Sequence, residues 1–170
     1  GTAYSFDVII EDIIAVLDKN KIEKSHFVGI SLGSILIQQM LQTHNDRVEK
    51  IGLGGAILNL NLQSRLLMFL GKLTQSILPF IWIYTFFAYV IMPYKAHRHS
   101  RALFIKEAKK LSQNEFKRWY KLTANILPLL ERIRKHEVLA PTLYIMGKED
   151  YMFLPFVKEI VQLHQSSSLI

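Results

Sequence analysis

Gly29-Ile30-Ser31-Leu32-Gly33 sets a serine hydroxyl between two glycines, and the residues around it change pattern across the motif. Ser25-His26-Phe27-Val28 reads as a short apolar strand, whereas Ile35 to His44 carries the apolar spacing of a helix. From the chain's glycine and serine content, the spelling alone would arise by chance in roughly 2 of 100 such sequences, so the strand-to-helix context carries the argument. A serine on so tight a turn is lifted above the sheet as a nucleophile. The helix N-terminus beneath it offers backbone N–H groups to negative charge developing on an attacked carbonyl. The two glycines are expected to permit a turn too sharp for side chains. An ordinary Gly-Ser loop is the plain alternative.

A second stretch has the composition of a partner. Pro141-Thr142-Leu143-Tyr144-Ile145-Met146 is strand-like, and Gly147-Lys148-Glu149-Asp150 and Leu154-Pro155 follow it. With the first motif, this resembles the α/β-hydrolase family, whose triad acid sits three residues past a glycine in the stretch after strand seven. The resemblance implies that Ser31 is the nucleophile, that the N–H of Leu32 is the first oxyanion donor, and that Asp150 orients a histidine and stabilises its protonated form. Glu149 is the neighbouring carboxylate, but the family spacing favours Asp150. An aspartate here could equally start a turn or cap the next helix.

The family's histidine follows strand eight, and here Ser168-Leu169-Ile170 reads as only the first step of that strand, twenty residues past Asp150. None of the six histidines is a good substitute by position: His26 begins the pre-elbow strand, His164 ends a helical stretch, and His44, His97, His99 and His136 fall in helices or polar loops. At the other end, Tyr4-Ser5-Phe6-Asp7 opens a helix with an apolar face at positions 6, 10, 13, 14 and 17, ending near Asn20. The family places such a helix just before the nucleophile strand. Its earlier strands, and the loop giving the second oxyanion N–H, would lie upstream. The expectation is therefore the middle and later part of the fold, with an elbow strand whose unpaired edge promotes self-association.

Between a strand over Val48 to Leu53 and the next at Thr142, the chain is mainly helical in pattern: 62–73, 77–92, 101–111, 115–127 and 129–136, punctuated by Pro79, Pro93 and Pro128. In the family an insertion here forms a helical cap. The expected organisation is α/β core over 1–55, cap over 56–140 and core again over 141–170. From Leu73 to Tyr94 there is no charged residue. Three readings compete for it: a membrane-spanning helix, shortened by Thr74, Gln75, Ser76 and Pro79; an interfacial lid touching a membrane; and a buried cap helix lining an acyl pocket, the preferred one. On the last reading Ile30, beside the nucleophile, and Phe86 and Phe87 contact the substrate.

The chain has 21 Lys and Arg against 14 Asp and Glu, a net of +7, and half its residues are apolar, which argues against disorder. Lys95 to Lys135 holds twelve basic and three acidic residues, a net of +9. Such a stretch is an ordinary solvated face or a surface for anionic lipid. Nucleic acid is not expected, because Trp119 and Tyr120 among Lys117, Arg118 and Lys121 form no known binding module. The absence of cysteine removes disulfides and thiolate metal sites and is compatible with a reducing compartment, so a cytoplasmic or membrane-associated location is expected. Taken together, the residues and the resemblance imply a serine hydrolase acting on carboxylic esters with an apolar acyl or alcohol part, without metal or organic cofactor. A C–C hydrolase or lyase on the same fold, or an inactive binding module, are the alternatives.

Overall fold

The computed structural model describes residues 5–74, 77–122, 125–134 and 140–170. These residues form two compact units, Gly1–Leu60 with Asn125–Ile170, and Asn61–Ala124.

The first unit begins with α1 (Phe6–Lys19), whose Ser5 cap accepts a hydrogen bond from the Val8 N–H at 3.1 Å. Phe6, Ile10, Ile14 and Leu17 are its buried residues, and partly buried Ile13 packs against the same core. There follow β1 (Ser25–Ile30), α2 (Leu32–Thr43), β2 (Val48–Gly54), α7 (Ile126–Arg134), β3 (Thr142–Ile145), α8 (Leu154–Leu163) and β4 (Ser167–Leu169). The strands form one parallel sheet in the order β1-β2-β3-β4. Parallel neighbours need crossovers, and here α2 and α8 make the short ones.

Core side chains come from one sheet face and its helices: Ile10, Ile14 and Leu17 from α1, Ile37 and Met40 from α2, Leu53, Tyr144 and Val157. Among the described residues the other face is uncovered, and alternation along the strands places Val28, Ile30, Leu143 and Ile145 there. Val28 is 76% exposed, Ile30 73%, and Leu143 and Ile145 are exposed with them. Strand β1 is the first in the order, so its outer edge has no neighbouring strand among the described residues.

Burial pushes the Tyr144 phenol from its ordinary value of 10.0 up to about 12. The folded state thus favours the neutral phenol. Its contribution is complete below pH ~10 and is lost as pH rises towards 12, by about 1.4 kcal/mol per pH unit for one such tyrosine. Denaturant midpoints of the chain should fall between pH 10 and 12, and Tyr144→Phe should flatten that fall; an unchanged slope would show that the phenol is not the cause.

The second unit is α-helical: α3 (Leu62–Thr74), α4 (Phe80–Ile91), α5 (Arg98–Ala108) and α6 (Gln113–Leu122). Asn61 caps α3 through the Ser64 N–H at 2.8 Å, and Ser112 and Glu115 exchange bonds across the first turn of α6 as a capping box. Ile83, Phe116 and Tyr120 form the unit's core, with Phe80, Tyr84 and Phe87 packed around it. The Tyr120 hydroxyl donates to the carbonyl of Met68.

Several boundaries differ from the sequence pattern, and α5 runs Arg98–Ala108 where the pattern predicts 101–111. Helix α4 starts at Phe80 rather than residue 77, because Pro79 serves as its cap. The expected helices over 115–127 and 129–136 become α6 and α7, with Pro128 inside the first turn of α7, where a missing N–H costs no intrahelical bond. Residues 125–134 group with the sheet unit, not with the other helices.

Candidate active site

The elbow is built by a strained residue. Ser31 lies between β1 and α2 with φ 53 and ψ −112, one of two non-glycine residues at positive φ among those described. Such a conformation costs on the order of 1–3 kcal/mol and persists only where neighbours over-determine it. Those neighbours are visible. The Ser31 N–H donates to the Gly54 carbonyl at 2.9 Å, and the Ser31 carbonyl accepts from the Ser34 N–H at 2.9 Å and from the Ser34 hydroxyl at 2.6 Å. The Ser31 side chain itself is exposed. Half-buried Leu32 is the first residue of α2, so its N–H has no intrahelical acceptor and is available to an anion.

The two motif glycines turn out to do different things. A Cβ on Gly29 would lie 2.5 Å from the Gly33 carbonyl oxygen and 2.6 Å from Ile37 Cδ1, so this glycine lets α2 start directly against β1. A Cβ on Gly33 would meet nothing within 4 Å. The left-handed backbone sits on the serine itself, which corrects the expectation that both glycines serve the sharpness of the turn.

The register brings the second motif to the same rim. Ile30 pairs with Gly54, and Gly54 with Ile145, so the parallel strands end level. With strands ~4.8 Å apart, the end of β1 and the end of β3 lie roughly 10 Å from each other. Asp150 follows β3 in a turn where its N–H donates to the Gly147 carbonyl at 3.0 Å. Its Oδ1 accepts from the N–H groups of Met152 at 3.1 Å and Phe153 at 2.9 Å, at the entrance to α8. The turn-and-cap role that an aspartate can play here is therefore filled by one carboxylate oxygen, and those bonds do not use Oδ2.

Residues that the motif reading missed tie this rim together. Buried Ser34 accepts from the Ile57 N–H at 3.0 Å. In the same loop the Gly55 N–H donates to the Ile145 carbonyl at 2.9 Å and the Ala56 N–H reaches Met146 Sδ at 3.2 Å. The loop after β2 thus joins the elbow to the end of β3. A small polar residue straight after the last motif glycine was the available signal for Ser34.

The histidines of this unit lie elsewhere. His26 is at the start of β1, 3.6 Å from Glu49. His44 ends α2, whose twelve residues carry the chain about 18 Å away from Ser31. His164 ends α8, and its carbonyl accepts from Ser167 N–H at the start of β4, the opposite rim. His136 is outside the described residues. Ile30 is on the uncovered face of the sheet. In the second unit Phe86 is 53% exposed, whereas Phe87 packs into that unit's core.

Comparison with known proteins agrees with this architecture. Residues 1–79 match the family model described as alpha/beta hydrolase fold. Similar solved structures include a carboxylesterase of the ammonia-oxidizing thaumarchaeon Nitrososphaera gargenis, 17% identical with a TM-score of 0.71, over 99% of this chain and 63% of that one. The meta-cleavage product hydrolase CumD of Pseudomonas fluorescens IP01 is 19% identical with a TM-score of 0.69, over 99% and 63%. The enol-lactonase of Burkholderia xenovorans LB400 is 16% identical with a TM-score of 0.72, over 99% and 64%. No curated protein matches the sequence significantly. The chain has the α/β-hydrolase fold. It carries the middle and later part of that fold, and spans a little under two thirds of the length of these three structures.

Proposed function

We propose that the whole protein is a serine hydrolase cleaving carboxylic esters with an apolar acyl or alcohol part. The observation that carries this reading is the exposed Ser31 held at positive φ at the head of α2. In this reading the Ser31 hydroxyl attacks the ester carbonyl, and the Leu32 N–H takes up charge on the carbonyl oxygen. Asp150 orients a histidine that accepts the serine proton and returns it to the leaving alcohol, and water then releases the acyl group. Ile30, beside the nucleophile, is proposed to contact the apolar part of the substrate. A C–C hydrolase is the second reading, favoured by the likeness to a meta-cleavage product hydrolase; the fold does not decide between them.

A fluorophosphonate probe should label the whole protein at Ser31 and fail to label Ser31→Ala. Equal labelling of that variant would remove Ser31 as nucleophile, and no labelling of either would support a binding module. The chain of 170 residues alone is expected to turn over p-nitrophenyl butyrate about 1,000-fold or more slowly than the whole protein, because no described histidine of its sheet unit reaches the elbow rim. Comparable rates would mean that a histidine of this chain is recruited.

A further inference from the structure

Helix α3 buries Ser64, Leu67 and Gly71, and a surface helix of this kind ordinarily turns polar residues outward. Here the outward face is also apolar. Leu62, Leu66, Phe69, Leu70 and Leu73 follow one another at helical spacing, and all are exposed, Leu62 at 83%. Arg65 and Lys72, one heptad apart, border this stripe, and long basic side chains lay their stems along apolar surface. Helix α4, which packs on α3, repeats the pattern with exposed Trp82, Phe86 and Tyr89 at i, i+4 and i+7.

The charge around these faces has one sign. From Asn61 to Lys106 the sequence contains six Lys and Arg and not one Asp or Glu, and the whole unit holds eleven basic residues against two acidic ones. A surplus of cations of this kind attracts an anionic surface. Among the described residues no helix is long and apolar enough to cross a membrane. An apolar stripe bordered by cations on α3, and a second on α4, which itself carries no charged residue, both on helices too short to span, fit the plane of a lipid headgroup region. We propose that the Asn61–Ala124 unit docks on an anionic lipid bilayer through the outward stripes of α3 and α4. This does not depend on the reading of Ser31, since it invokes no residue of the elbow rim, but it competes with the substrate reading for Phe86, which here faces lipid.

The test is flotation of the chain, and of the whole protein, with vesicles of phosphatidylcholine and phosphatidylglycerol at 7:3, against phosphatidylcholine alone. Both should bind the anionic vesicles at least 10-fold more tightly, less so in 0.5 M NaCl, with the Trp82 emission shifting to the blue. Leu66→Ser with Phe69→Ser should weaken binding at least 10-fold with an unchanged circular-dichroism melt, as substitutions at exposed positions should allow. Arg65→Glu with Lys72→Glu should do the same through charge. Absence of binding, or binding indifferent to both pairs of substitutions, overturns the proposal. So does a dimer that Phe69→Ser dissolves without any vesicle binding, which would assign the face to a second copy. Binding by the chain that disappears in the whole protein would assign it to the remainder of that protein, and overturn the proposal too.

Discussion

Asp150→Asn in the whole protein should lower kcat for an ester by about 10,000-fold while leaving its melting temperature nearly unchanged. The substitution separates the capping role that the structure shows for this side chain from the catalytic role proposed for it. The asparagine oxygen can accept from the Met152 and Phe153 N–H groups just as Oδ1 does, so the entrance to α8 keeps its cap. What disappears is the negative charge that would hold a histidine in its productive tautomer and stabilise it when protonated. Asp150→Ala, by contrast, should lose both the activity and about 1 kcal/mol of stability. An Asn variant with full activity would leave Asp150 as a turn residue only and move the acid elsewhere.

The second large effect concerns packing. Gly29→Ala is expected to destabilise the first unit by about 3 kcal/mol, because the new methyl group meets a backbone carbonyl oxygen and Ile37 Cδ1 at distances that neither can accommodate without moving α2 off β1. For a chain of this length that is a fall in Tm of about 6–12 °C. Gly33→Ala is the control. Its Cβ enters open space near the start of a helix, so it should be neutral or slightly stabilising. Thermal melts of the two variants that came out equal would show that α2 does not seat as closely as described.

Much of the fold could be read from the sequence because its signals are local. The face of α1, the strand before the elbow, and the strand before Gly147-Lys148-Glu149-Asp150 each follow from apolar periodicity within a few residues. The site was less legible where it depends on residues brought together across the sheet. Ser34 bonds to Ile57, twenty-three positions away, and Ala56 to Met146, ninety away, and no spacing rule connects either pair. Phe86 and Phe87 are adjacent in sequence and alike in composition. Their different fates, one exposed and one packed towards Phe116 and Tyr120, are decided by the rotation of α4, which a uniformly apolar run does not encode. The split between α6 and α7 was hidden for a related reason: Pro128 reads as a break, but in a first turn it is tolerated.

The level ending of Ile30, Gly54 and Ile145 has a bearing on how such a protein can change. The paired residues end level, and what lies beyond β2 and β3 is loop, whereas β1 passes through Ser31 straight into α2. Insertions or replacements after β2 or β3 therefore alter the rim without disturbing the pairing beneath it. The stretch between β2 and β3 already contains the entire second unit, yet β2 and β3 remain in register. The sheet thus carries a connection of any length at this rim without a change in its own pairing, and structures described as a carboxylesterase, an enol-lactonase and a meta-cleavage product hydrolase share its fold.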